Sequence, residues 1–136
     1  MIKPLGKFVY VASPYTHADM SMRIERFLQV VRCTGWLMNN MKKFTFFSPI
    51  NQCHPIALEC TLPGEWEFWA RFDECIMSRC DEMWILCIPG WKSSTGVNAE
   101  RKIAERFNLP IKFVIPQPYS ATEAGDYIIT ETEPEE

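Results

Sequence analysis

The run Ser93-Ser94-Thr95-Gly96-Val97-Asn98-Ala99-Glu100 ends on a carboxylate four residues past a glycine. One helical turn beyond a Ser/Thr-Gly loop, such a carboxylate can face whatever the loop binds. It could then attack an anomeric carbon and hold a covalent glycosyl intermediate. The same glutamate can also do no more than complement the positive end of a helix dipole. The loop ahead of it offers hydroxyls, a flexible glycine and free backbone N–H groups at a helix start. That combination suits an anion, although Ser/Thr-Gly before a helix also serves as an ordinary cap. The loop is neither a P-loop nor a dinucleotide fingerprint, because G-x4-G-K-[ST] and G-x-G-x-x-G are both absent.

A second acid, Asp73, is in helical phase with Trp66 and Trp69 at i−7 and i−4. On an aromatic face an acid is either a solvent-edge residue or a group whose raised pKa lets it protonate a leaving base. Asp81 is better suited to capping or turning the chain before an apolar strand. Tyr10 falls near the end of another strand, where a core aromatic with a bonded hydroxyl is the ordinary role. His17 and His54 lie in loops with no nucleophile motif beside them.

These residues need elements to hold them. Lys7 to Ala12 and Phe44 to Phe47 read as short strands, stopped by Ser13-Pro14 and by Pro49. Met83 to Ile88 is apolar on both faces, as a central parallel strand should be, and Ile111 to Ile115 is a fourth strand. Helices are expected over about 18–41, 65–79 and 97–107, with a weak point at Gly35. Residues 51–64, with two prolines and a glycine, read as a long loop. The order βαβαβαβ predicts an α/β, flavodoxin-like (Rossmann-like) open parallel sheet of four to five strands with helices on both faces. Tyr127 to Thr130 is either an edge strand or part of a tail. The expected organisation is one domain over 1–120 followed by an acidic segment, 121–136.

In such sheets ligands bind beyond the carboxyl ends of the strands, where strand order reverses. Three loops qualify: Ser13-Pro14-Tyr15, Ser48 to His54, and Gly90 to Gly96.

Bulk properties narrow the function further. The chain has 136 residues, 47% hydrophobic and 13% aromatic, which fits one packed domain. Its longest apolar runs, Phe8–Ala12 and Met83–Pro89, fall far short of the roughly 20 residues that a membrane helix needs. No secretory signal is visible, so a cytoplasmic location is expected. Net charge is −3, yet Glu123 to Glu136 holds six acids and no base, leaving a formal +3 elsewhere. That surplus, without a Lys/Arg run, argues against long nucleic acid and leaves a small anionic ligand open. None of the six cysteines is paired as C-x2-C, so they read as reduced, small hydrophobes. Cys53-His54 lacks further ligands at a metal-site spacing.

Four features together resemble the nucleoside 2-deoxyribosyltransferase-like superfamily, which includes nucleotide N-glycosidases and small phage-borne relatives. They are Tyr10-Val-Ala-Ser-Pro-Tyr15, Asp73, Cys80-Asp81 ahead of the apolar strand, and Ser94-Thr-Gly96-Val-Asn-Ala-Glu100. The resemblance runs from Phe8 to about Val114. It implies Glu100 as the nucleophile on C1′ of the sugar, Asp73 as the proton donor to the departing base, and Tyr10 as the group that orients Glu100. Ser94 and Gly96 would touch the sugar or its 5′-phosphate, within a substrate-binding set of Ser13, Tyr15, His54, Trp69, Ser93, Ser94, Gly96 and Asn98. No metal or cofactor is implied.

A homodimer or higher homo-oligomer is expected by the same resemblance, with Trp36, Trp66 and Trp91 as exposed candidates for the contact. The nucleotide hydrolases of the group carry a Gly-Ser-x-Arg phosphate clamp where this chain has Ser13-Pro14-Tyr15-Thr16. Arg23, Lys92 or a residue from a neighbouring subunit would have to replace its arginine. Where free-nucleoside transferases hold an acid, this chain has Ser94, which leans back toward a phosphorylated substrate. Two other functions compete: a non-catalytic module that sequesters a nucleotide, and hydrolysis of a dinucleotide such as NAD.

Overall fold

The computed structural model describes residues 6–118 and 125–136. Five strands, β1 (Lys7–Ala12), β2 (Phe44–Phe47), β3 (Glu82–Leu86), β4 (Ile111–Pro116) and β5 (Tyr127–Thr130), form one sheet in the order β2-β1-β3-β4-β5. The first four are parallel; β5 runs antiparallel to β4, with Phe113 opposite Thr130 and Pro116 opposite Tyr127. Of the two alternatives for Tyr127 to Thr130, the edge strand is what forms. The expected boundary at 120/121 lies outside the described residues.

Side chains alternate along β1 and so divide the core. Val9 and Val11 face α1 (Met20–Asn40), where Val30, Cys33 and Leu37 meet Trp84 and Leu86 of β3. Tyr10 and Ala12 face the other way, toward Met77 of α3 (Trp66–Met77) and Val97, Ile103 and Ala104 of α4 (Thr95–Arg106). Helices therefore cover both faces, giving an α/β, flavodoxin-like fold. β3 is buried along its whole length, as expected of the central strand. Asp81 turns the chain into it: its carboxylate accepts from Phe8 N at 2.7 Å, and its own N–H donates to Phe8 O at 2.7 Å.

The stretch expected as a loop at 51–64 is corrected. Residues Pro49–Cys60 form a helix, α2, packed on α1 and β1. The prolines misled because Pro49 starts this helix as well as ending β2. Ser48 caps it, accepting from Asn51 N at 3.1 Å, and Pro49 occupies a first-turn position where a missing N–H costs nothing. Pro55 sits inside and forfeits one helical hydrogen bond. The helix closes on Thr61 in the left-handed region at φ 53°.

The three tryptophans expected to be exposed are also corrected. Trp91 is buried, its ring 5.7 Å from that of Phe113. Trp36 is half-buried against Tyr127 and donates to Asp126 at 3.2 Å, and Trp66 is half-buried as well. The large apolar side chains left exposed on α1 include Met20, Ile24, Leu28, Val31 and Met38. Among the described residues no helix is long and apolar enough to cross a membrane.

Candidate active site

With β1 and β3 adjacent but their outer neighbours lying on opposite sides, strand order reverses between them. A crevice must open beyond their carboxyl ends. A cavity of ≈ 510 Å³ lies there, bounded by the loops after β1 and β3 and by α3 and α4.

Two acids line it, and a buried tyrosine bonds to one of them. Tyr10, fully buried on β1, donates its hydroxyl to Glu100 Oε2. Glu100 and Asp73, 5% and 7% exposed, both line the cavity. Glu100 stands in the second turn of α4, past Ser94 as N-cap, so it is no longer placed as a first-turn dipole partner.

Neither carboxylate takes part in a salt bridge among the described residues. Burial raises the pKa of Glu100 well above the usual carboxylate range, and the neighbouring Asp73 charge adds to this; only the Tyr10 bond pulls it down. Burial also pushes Asp73 up to about 7 against the opposing pull of Tyr10. The Tyr10 hydroxyl is held protonated by its own burial and by both carboxylates, so it remains a donor. Two carboxylates this poorly compensated both take up a proton more readily than ordinary acids do.

The rest of the expected set divides. Ser13 lines the cavity, is 5% exposed, and its hydroxyl has no hydrogen-bond partner among the described residues. A buried hydroxyl left this way is suited to a ligand's polar group. Ser94 caps α4 by accepting from Val97 N at 3.2 Å, and it also faces the cavity. Gly96 lines the wall too. A Cβ added there would meet nothing closer than Ser94 Oγ at 3.9 Å, so its openness lies on the ligand side. Ser93 and Trp69 are wall residues, with the Trp69 indole N–H bonded to Pro63 O at 2.8 Å.

His54 and Asn98 stand outside the wall. His54, buried on α2, stacks on Phe27 at 4.3 Å and pairs through Nδ1 with the hydroxyl of Tyr15, which does reach the cavity. Burial and the Arg23 charge lower the pKa of His54, keeping the ring neutral. Asn98 instead ties the preceding turn to its helix, donating to Lys92 O at 3.0 Å.

Sequence reasoning missed Arg26. It lines the cavity, held by Thr16 O at 2.9 Å and Pro89 O at 3.5 Å, while Arg23 and Lys92 do not. Both arginines lie on α1, and the sequence carried no signal for which of them turns inward. Trp66, expected at a protein contact, is also a wall residue. No group of three or more His, Cys, Asp or Glu placed to hold a metal occurs among the described residues.

No curated protein matches the chain at a significant level. Residues 7–115, which run from the start of β1 almost to the end of β4, match one family. With Tyr10, Asp73 and Glu100 all inside that stretch, the chain belongs to the family described as Domain of unknown function (DUF1937).

Proposed function

We propose that this protein cleaves the N-glycosidic bond of a nucleoside or nucleoside 5′-monophosphate through a covalent glycosyl-Glu100 intermediate. The observation that carries the reading is that Glu100 and Asp73 line one cavity, with Tyr10 bonded to Glu100 and no cation paired to either acid among the described residues.

In the first step the Glu100 carboxylate attacks C1′. The C1′–N bond breaks, and the departing base takes its proton from Asp73. In the second step Asp73, now ionised, removes a proton from water or from an incoming base, which attacks C1′ and frees Glu100. The sugar keeps its anomeric configuration after two inversions.

The chemistry needs one proton on the pair, carried by Asp73. In the empty cavity burial raises the proton affinity of both acids. The Tyr10 bond to Glu100 and the positive charge developing on the sugar both favour the proton on Asp73. Trp66 and Trp69 in the wall supply aromatic faces for a base. The mechanism itself asks for no metal. The free cysteines suit the reducing cytoplasm, and the apolar side chains exposed on α1 are where a homo-oligomer would form.

The test is to incubate the protein with nucleosides, 5′-nucleotides and NAD and to separate free base by chromatography. Base release that disappears in a folded Glu100→Ala variant is the expected result. Release that persists in that variant would defeat the mechanism. Tight binding without any release would assign the cavity to sequestration instead.

A further inference from the structure

After β5 the chain doubles back, and residues 131–136 return to the loop that follows β3. Glu133 holds Arg101 Nη2 at 2.6 Å and Lys92 Nζ at 3.7 Å. Three residues on, the two oxygens of the Glu136 carboxylate accept from separate backbone groups, Oε1 from Gly90 N and Oε2 from Lys92 N, each at 3.2 Å. The N–H between them, that of Trp91, turns inward to Ile88 O at 3.1 Å, so those of Gly90 and Lys92 face outward together. Gly90 makes this possible with φ +93°, a conformation that side chains rarely adopt. N–H groups of alternate residues around such a position form an anion-binding nest. The nest adjoins the cavity: Gly90 lines it, and Arg26 Nη2 lies 2.7 Å from where a Cβ on Gly90 would stand.

We propose that the Gly90–Lys92 turn is an anion site on the cavity rim, built for a phosphate monoester or carboxylate, and that Glu136 fills it as an internal competitor. The site stands on this geometry alone; its use by the 5′-phosphate of a nucleotide rests on the glycosidase reading. An internal occupant lowers apparent affinity by the fraction of time it leaves the site open.

The experiment follows the amide resonances of Gly90 and Lys92 by NMR in the ¹⁵N-labelled full chain as inorganic phosphate is added. In Glu136→Gln both amide protons should move upfield, and phosphate should return them downfield with half-saturation about tenfold lower than in the wild type. Glu135→Gln should titrate as the wild type does. A nucleoside 5′-monophosphate that moves the same amides at lower concentration than phosphate assigns the site to a substrate's phosphoryl group; equal titration assigns it to the free ion. Amides that ignore phosphate in both proteins, or respond equally in both, would overturn the proposal. Base release is measured on the same samples. Its absence beside an intact phosphate response removes the glycosidase reading and leaves the anion site.

Discussion

Two buried glutamates at opposite ends of one sheet have been given opposite surroundings. Glu82 opens β3 at the amino end and is 2% exposed. Lys7 and Lys112, from the strands on either side, reach its carboxylate at 3.1 and 3.0 Å, and the Trp84 indole N–H donates to it at 2.9 Å. Burial would raise its pKa, yet these three bonds outweigh burial and hold it below its ordinary value. Glu100 at the carboxyl end is 5% exposed and is given a tyrosine and a second acid instead. Similar exposure therefore goes with an ion-paired strut at one end and a protonatable pair at the other. An acid left without a cation in a cavity costs stability, and such acids cluster at functional sites.

The contrast is broken most severely by removing the pair. Glu100→Ala should lower base release by about 10⁴-fold or more, and Asp73→Asn by about 10²- to 10⁴-fold, both measured as initial rates with circular dichroism confirming the fold. Glu82→Ala should leave the cavity chemistry alone and cost about 2 to 3 kcal/mol in denaturant unfolding. It strands the Trp84 N–H in the core, while Lys7 can swing to solvent. Tyr10→Phe should slow release about 10- to 100-fold, the worth of one hydrogen bond to a charged group.

Thermal melts against pH give the gentlest comparison. The folded state raises the pKa values of Glu100 and Asp73, so between the unfolded values near 4 and the folded ones it binds more protons than the unfolded chain. Stability from Asp73 falls as pH rises through about 7, and Glu100 contributes with the same sign. Glu82 has the opposite sign: its contribution is complete above the ordinary value of 4.5 and is lost as pH falls through the lowered one. Glu100→Gln should therefore raise the melting temperature by a few degrees at pH 8 and hardly at all at pH 4. Glu82→Gln should lower it at pH 8, and the loss should shrink at pH 3.

What could be read from the chain follows from how local each signal is. β1 and β2 form over the expected residues because short apolar runs between proline-marked stops have few other uses. α2 escaped because Pro49 ends one element and begins the next. Glu82 escaped as well: a strand expected from Met83 does not announce that its first residue is an acid buried between two lysines.

At the site, it is the resemblance that groups Tyr10, Asp73 and Glu100; spacing alone leaves each of them an ordinary structural role. Arg26 and the Glu136 contact depend on the rotation of α1 and on how far residues 131–136 double back. Tertiary packing decides both. Trp91 is buried for the same reason, since its loop folds down onto Phe113 from a strand distant in sequence.

The central claim is that Glu100 becomes bonded to the sugar. A substrate from the panel, remade with fluorine at C2′ to slow the second step, should leave one glycosyl group on the protein. Mass spectrometry should locate that group on Glu100 and find it missing from Glu100→Gln but present in Glu82→Gln. Steady base release with no such adduct, or an adduct on any other residue, would contradict the account.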